Sequence, residues 1–251
     1  MKQATYIIAI LLSLACFTSC EEVTEDVTLD NFGYEYFPLE ENAFWIYKVD
    51  SVIYSQLGEE KDTTSSYVKE EIVEVFVDQV QDTVYRIERS VSKSSDYEWN
   101  VVDVWAAQKN QTMATKTEDN LKYMKLVFPL KETVSWDGNA FITEDVDVFV
   151  GGETLDFHRD WDYRVLSIES DALIGDESYT EVATIQNADS GENEFIHRRF
   201  VVEKYAKDVG LVYKRHVILD TQCIVECEGQ TWEEKGEKGY LLESVLVEYE
   251  K

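Results

Sequence analysis

The chain predicts an all-β fold, an antiparallel meander forming a curved sheet, a half-barrel or a barrel-like sandwich. Three observations carry this expectation. Stretches of two-residue alternation recur at short, even spacing, with β-branched and aromatic residues on the apolar side. Turn signals rich in Gly, Asp and Asn separate them. Only two prolines occur in 251 residues, so few positions forbid a ladder hydrogen bond.

The first elements follow directly. Pro38 presets a turn in Tyr36-Phe37-Pro38-Leu39. Alternation then starts, with Trp45, Tyr47, Val49 and Ile53 on one face and Lys48 and Asp50 on the other. Residues 67–77 hold Val68, Ile72, Val75 and Phe76, which also suit a helix. Their β-branched content and the turn-like Gly58-Glu59-Glu60-Lys61-Asp62 before them favour a strand. Residues 82–92 alternate through Tyr85, Ile87 and Val91. In 97–107, Tyr97, Trp99, Val101 and Trp105 share one face and Val102, Val104 and Ala106 the other. That predicts a central strand covered on both sides. A further strand, 121–128, ends at Pro129, and Trp136-Asp137-Gly138-Asn139 marks a turn. Residues 157–168 place Phe157, Trp161, Tyr163 and Val165 inward, with His158, Asp160, Asp162 and Arg164 outward. Stretches 179–185 and 195–205 continue the pattern, and 240–249 is the last strand.

The N-terminus is of a different kind. Lys2 and an apolar run over 6–17 lead to Thr18-Ser19-Cys20, after which the chain turns acidic. The run is short for a membrane span and is flanked as a secretory signal is. A cysteine after small residues at the end of such a run resembles a bacterial lipobox. Phe17 replaces the usual Leu, as in lipoproteins of the Bacteroidetes type. The resemblance implies cleavage before Cys20 and lipidation of Cys20; Cys16, after the less fitting Ser13-Leu14-Ala15, is the competing site. The expected organisation is a signal peptide over 1–19, an acidic tether over 20–35 and a single β domain over 36–251. Glu21, Glu22, Glu25 and Asp26 resemble a surface-export signal and equally suit a plain spacer. An outer-membrane lipoprotein facing either the cell surface or the periplasm is therefore expected.

Two further stretches resemble uncharacterised Bacteroidetes lipoproteins. One is Tyr36-Phe37-Pro38-Leu39 followed by Trp45-Ile46-Tyr47, with Asn42 where those proteins carry Gly. The other is Tyr205-Ala206-Lys207-Asp208-Val209-Gly210-Leu211-Val212, similar to Tyr-Ala-x-Gly-Val-Gly-Leu-Val, with Asp208 in place of a Gly. Asn and Asp tolerate positive φ better than most residues, so each turn is expected to survive its substitution. The resemblance implies a shared β fold and carries no catalytic residue across.

The formal net charge is −28, and removal of 1–19 deletes only Lys2, leaving −29. Such a field repels phosphate backbones and argues against nucleic acid as a partner. It also disfavours broad contact with anionic lipid, so membrane attachment is expected through the acyl anchor. Within the domain, Cys223 and Cys227 are candidates for a disulfide if a loop brings their Cα atoms within about 7 Å. Free thiols, or a metal with His216 nearby, are the alternatives. Over 194–216, six bases (Arg198, Arg199, Lys204, Lys207, Lys214, Arg215) face three acids (Glu194, Glu203, Asp208), a local charge of +3. Arg198, Arg199, Lys214 and Arg215 are candidates for an anion-binding surface, set against internal pairing with the acidic surroundings.

Catalytic chemistry is not signalled. The chain has three histidines and shows neither a Gly-x-Ser-x-Gly nor a His-Glu-x-x-His pattern. The row His158-x-Asp160-x-Asp162 continues into Arg164, as on a solvated face, so no metal site and no cofactor are predicted. Trp99 and Trp105 on one face suit either a core strand or a glycan platform. The leading expectation is a lipid-anchored, non-catalytic extracytoplasmic domain that binds a ligand or protein partner. The ligand would be a glycan or, given a large apolar concavity, an apolar molecule. A surface glycan-binding module and a carboxylate-dependent hydrolase are the alternatives, the latter requiring two converging carboxylates.

Overall fold

The computed structural model describes residues 32–55, 58–143, 146–159, 161–191 and 193–251. The signal region and the tether through residue 31, with Cys16 and Cys20, lie outside the described residues, as does Asp160. The folded unit runs from Phe32 to Lys251.

The first meander contains β1 (Phe44–Ser55), β2 (Glu60–Val77), β3 (Thr83–Ser92), β4 (Asn100–Lys109), β5 (Met113–Glu118) and β6 (Leu121–Val127). A short β7 (Ser135–Trp136) and a separate hairpin of β8 (Val148–Val150) and β9 (Glu153–Leu155) follow. The second meander is β10 (Trp161–Ile174), β11 (Glu177–Asp189), β12 (His197–Ala206), β13 (Gly210–Asp220) and β14 (Lys238–Glu250). A single helical turn, α1 (Trp232–Lys235), precedes β14. Twelve of these strands form one antiparallel sheet in the order β6-β5-β4-β3-β2-β1-β14-β13-β12-β11-β10-β7.

The meanders join where the first long strand meets the last, with Tyr47 opposite Leu246 and Ile53 opposite Tyr240. The two outer strands then approach each other. The Met124 N–H donates to the Gly138 carbonyl at 2.8 Å, and Trp136 Nε1 donates to the Met124 carbonyl at 2.9 Å. The sheet is thereby nearly closed into a barrel, which leaves few long edges exposed. Gly138 is required at this seam, because a Cβ there would overlap the Tyr163 ring.

Period-two alternation builds the interior. Trp45 and Tyr47, Val68 and Ile72, Ile87, Ala107, Ile185, Tyr205 and Leu246 are all buried, and most belong to one continuous core. One end of the barrel is plugged by a 3-10 turn, Tyr34–Tyr36, and by Phe37. Lys109 Nζ holds the plug by donating to the carbonyls of Tyr34 and Phe37, at 3.0 and 2.7 Å. Residues 32–35 are part of this end: the Leu130 N–H donates to the Phe32 carbonyl, and the Asp208 N–H to that of Glu35. Asn42 and Asp208 adopt φ of 69° and 61°, the left-handed turns their sequence positions suggest.

Two expectations need correction. Over 97–107 the strand begins only at Asn100, and a bulge against β3 breaks the alternation at Val102: Val101, Val102 and Val104 are 59%, 55% and 48% exposed. A one-layer barrel has a single filled side, so a strand apolar on both faces is not necessarily covered twice. Tyr97 (φ 54°) and Trp99 lie in the preceding turn with their rings stacked at 5.0 Å. Trp105 instead packs among interior residues, beneath Arg89 and Lys116. The two tryptophans therefore form no shared platform. His158 likewise does not lie on an outward strand row. It sits in the turn before β10, half-buried, with Nε2 3.1 Å from the Tyr123 hydroxyl.

Candidate functional site

Three lysines and three glutamates meet inside the barrel. Glu203 on β12 faces Lys214 directly across the ladder to β13, with Lys214 Nζ 3.7 Å from its Oε1. Lys125 arrives by a β-bulge. The β5–β6 register shifts between Ala114 and Thr115, leaving Lys125 without a cross-strand partner, and bulges re-aim side chains in this way. Its Nζ lies 3.1 Å from both Glu203 Oε1 and Glu118 Oε1. Lys116 pairs with Glu70 and comes within 3.9 Å of Glu118. A second bulge on β11 leaves Asn187 between Gln186 and Ala188 without a ladder partner. Its Nδ2 donates to Glu203 Oε2 at 3.2 Å, and the Tyr205 hydroxyl donates to the same oxygen at 2.8 Å.

The electrostatics follow from that arrangement. Burial alone would raise the Glu203 carboxyl, but Lys125 and Lys214 outweigh it and hold the group at about 2. Glu118 is likewise opposed by burial yet kept far below the usual carboxylate range by Lys125, Lys214 and Lys116. Burial disfavours the Lys125 ammonium, while Glu118 and Glu203 drive its pKa well above normal. His216, beside them, is pushed far down by burial and by Lys214. Its Nδ1 meets the Tyr240 hydroxyl at 2.8 Å. The network is a charge-balanced, hydrogen-bonded centre.

A cavity of about 50 Å³ lies between this network and the plug, lined by Phe37, Trp45, Tyr47, Glu70 and Lys116 among others. At about 30 Å³ per liquid water, it accommodates one or two waters and is far too small for an acyl chain.

A larger concavity, about 400 Å³, opens at the opposite end of the barrel. It is lined by Asp156 and Arg159 ahead of β10, Ile196 and His197 at the start of β12, and Gln222 and Ile224 after β13. Arg199 forms its floor, fully buried and fastened by its surroundings. Its guanidinium donates to the carbonyls of Asp156, Arg198 and Leu219 and pairs with Asp220 at 2.7 Å. Both lips carry exposed apolar residues: Phe195 and Ile196 on one, Ile224 and Val225 on the other. The Thr221 N–H donates to the Ile196 carbonyl at 2.9 Å and ties the lips together. Cys223 and Cys227, joined by a disulfide with Cα atoms 5.7 Å apart, brace the second lip.

The four basic candidates are distributed rather than gathered. Strand alternation sends Arg199 into the open end and Lys214 into the ionic centre. Arg198 lies on the other face of β12, paired with Asp189 at 2.6 Å and stacked over the Phe200 ring, and Arg215 is exposed on β13. Glu203 and Lys214 were legible as inward positions, since Glu203 is in phase with the apolar Val201 and Tyr205. Lys125 and Asn187 had no such signal, because their placement depends on bulges.

The fold and site define a nearly closed antiparallel barrel with an ion-paired interior and a ligand-sized cleft at one end. No family model matches the chain, and no curated protein matches it. Among solved structures it is similar to a candidate lipoprotein from Parabacteroides distasonis, at 10% identity and a TM-score of 0.39, covering 86% of this chain and 98% of that one. It is also similar to a candidate exported protein with a YmcC-like fold from Bacteroides fragilis, at 10% identity and a TM-score of 0.41, with the same coverage.

Proposed function

We propose that the protein is a lipid-anchored, non-catalytic extracytoplasmic domain that holds a ligand or protein partner at the open-end cleft. The cleft carries the reading: its volume falls in the range of ligand sites, and its apolar lips resemble the exposed patches that mark partner surfaces. The buried carboxylates support a non-catalytic role, because lysines and hydrogen bonds already engage them. Cys20 provides the anchor in this reading, in the outer membrane.

Anchoring and cleft are tested separately. Cys20→Ala should abolish acyl labelling; retained labelling that is lost in Cys16→Ala moves the anchor to Cys16. For the cleft, a photo-crosslinking amino acid replaces Val225, 82% exposed, or Val80, 74% exposed and on the β2–β3 turn. Adducts in cells at position 225 and none at 80 are expected. Equal adducts at both, or none at 225, would remove the cleft as the binding surface.

A further inference from the structure

β4 is left half-paired. It runs beside β3 from Asn100 to Ala107, but β5 pairs only with Ala106, Ala107, Gln108 and Lys109. On that side residues 100–105 have no ladder partner among the described residues. The open stretch is β-branched, and Val101, Val102 and Val104 are each about half exposed or more. Natural sheets usually cover or charge such an edge, since it templates another strand. Here the guards are a bulge, where the β3–β4 register shifts between Arg89 and Ser90 and leaves Val102 unpaired, and one side chain: Asp103 Oδ1 accepts the Val104 N–H at 2.7 Å, standing where a neighbouring strand's carbonyl would be.

The Asp103 guard is also electrostatically crowded. Asp119, in the β5–β6 turn at φ 51°, sets its carboxyl beside that of Asp103, where the two charges oppose each other. Arg89 lies opposite Asp103 on β3 and stacks on the Trp105 ring at 4.9 Å, offsetting one of the two charges. Asp96 and Glu98, both exposed, flank the start of the strand.

We propose that the free edge of β4 accepts an extended, basic segment of a partner protein as an added strand. The main chain would bond to the open edge, as in β-augmentation. Apolar residues of the segment would lie beside Val104 and Val101, and a lysine or arginine between them would meet Asp103 and Asp119. That basic residue draws Asp103 away and frees the Val104 N–H for the incoming carbonyl. A second copy of this chain is a poor occupant, because edge-to-edge pairing brings two Asp103–Asp119 pairs together on molecules of formal charge −28.

The test uses the mature chain and a blocked ten-residue peptide of alternating Val and Lys at about 0.15 M salt, where loose attraction is screened. A peptide of equal composition with Val and Lys in two blocks is the control. Amide shift changes should concentrate at 100–105, and the alternating peptide should bind at least tenfold more tightly than the control. Val104→Pro removes the outward donor and should weaken binding at least tenfold; Asp103→Asn should weaken it about threefold. If Val104→Pro fails to fold, Val104→Lys at the same exposed position should give the same loss. Equal affinity of the two peptides, unchanged affinity in a folded position-104 variant, or shift changes elsewhere would overturn the proposal.

Discussion

The Trp45 indole donates to the Val209 carbonyl at 2.6 Å across 164 residues of sequence. Two positions on, the Tyr47 hydroxyl donates to the Leu211 carbonyl at 3.1 Å. Gly210, at φ 96°, sits between those acceptors with its Cα facing the Pro38 ring. The stretches 36–47 and 205–212 are thus two halves of one clasp at the plugged end.

Removing that clasp should cost stability without changing the sheet. Trp45→Phe keeps a large ring but leaves a buried carbonyl without its donor, a loss of about 1–3 kcal/mol. Gly210→Ala adds left-handed backbone strain and crowds Pro38, and should cost about 1–2 kcal/mol. Urea unfolding of each variant measures both effects; a change below about 0.5 kcal/mol in Trp45→Phe would show that the indole bond contributes nothing.

The ionic centre should be sensitive to removal of one partner. Lys125→Met leaves Glu118 and Glu203 buried with less compensating charge, and breaking such a pair costs about 3–5 kcal/mol. Lys48→Met, which removes an exposed surface pair with Asp50, should leave the denaturant midpoint nearly unchanged. Comparable losses in the two variants, read from denaturant midpoints, would contradict the picture of a buried keystone.

Stability should fall steeply in acid. The folded Glu203 pKa, at about 2, lies below its unfolded value of about 4.3. Its contribution is therefore complete above the unfolded value and is lost as pH falls through about 2, amounting to about 3 kcal/mol. Glu118, also depressed, acts in the same direction. His216 is depressed too, so acidification below its unfolded value of about 6.5 favours the unfolded chain. Thermal midpoints from pH 7 to pH 2 should decline throughout. Glu203→Gln should lower the midpoint at pH 7 and flatten the slope below pH 4.5; an unchanged slope would exclude Glu203 as its source.

The disulfide closes a very short loop, with a sequence separation of 4. Loop entropy then gives about 2 kcal/mol at most. Cys223→Ser with Cys227→Ser should leave the barrel folded and raise amide exchange mainly around Ile224 and Val225. Global unfolding of that double variant at 25 °C would show that the lip supports the whole fold.

Much of the architecture was determined by the sequence itself. Period-two alternation identifies the strands and, from Trp45 to Ile53, the correct inward face, because a strand's side chains must alternate between core and solvent. Asn42 and Asp208 reveal their turns locally, since positive φ is a property of a single residue. The expected signal and the proposed anchor at Cys20 rest likewise on a short contiguous pattern, which lies outside the described residues.

Only the tertiary structure decided what occupies the centre and what is left uncovered. Glu203, Lys214 and Glu118 become a buried network through ring closure, and Lys125 and Asn187 join it through one-residue register shifts that no periodicity records. Val101, Val102 and Val104 look like core residues in the sequence, yet remain exposed because a one-layer barrel fills only its inner side and a bulge breaks the alternation at Val102. Alternation states which residues share a face. Burial of that face depends on the lengths and registers of neighbouring strands, and these are set by contacts between residues far apart in the chain.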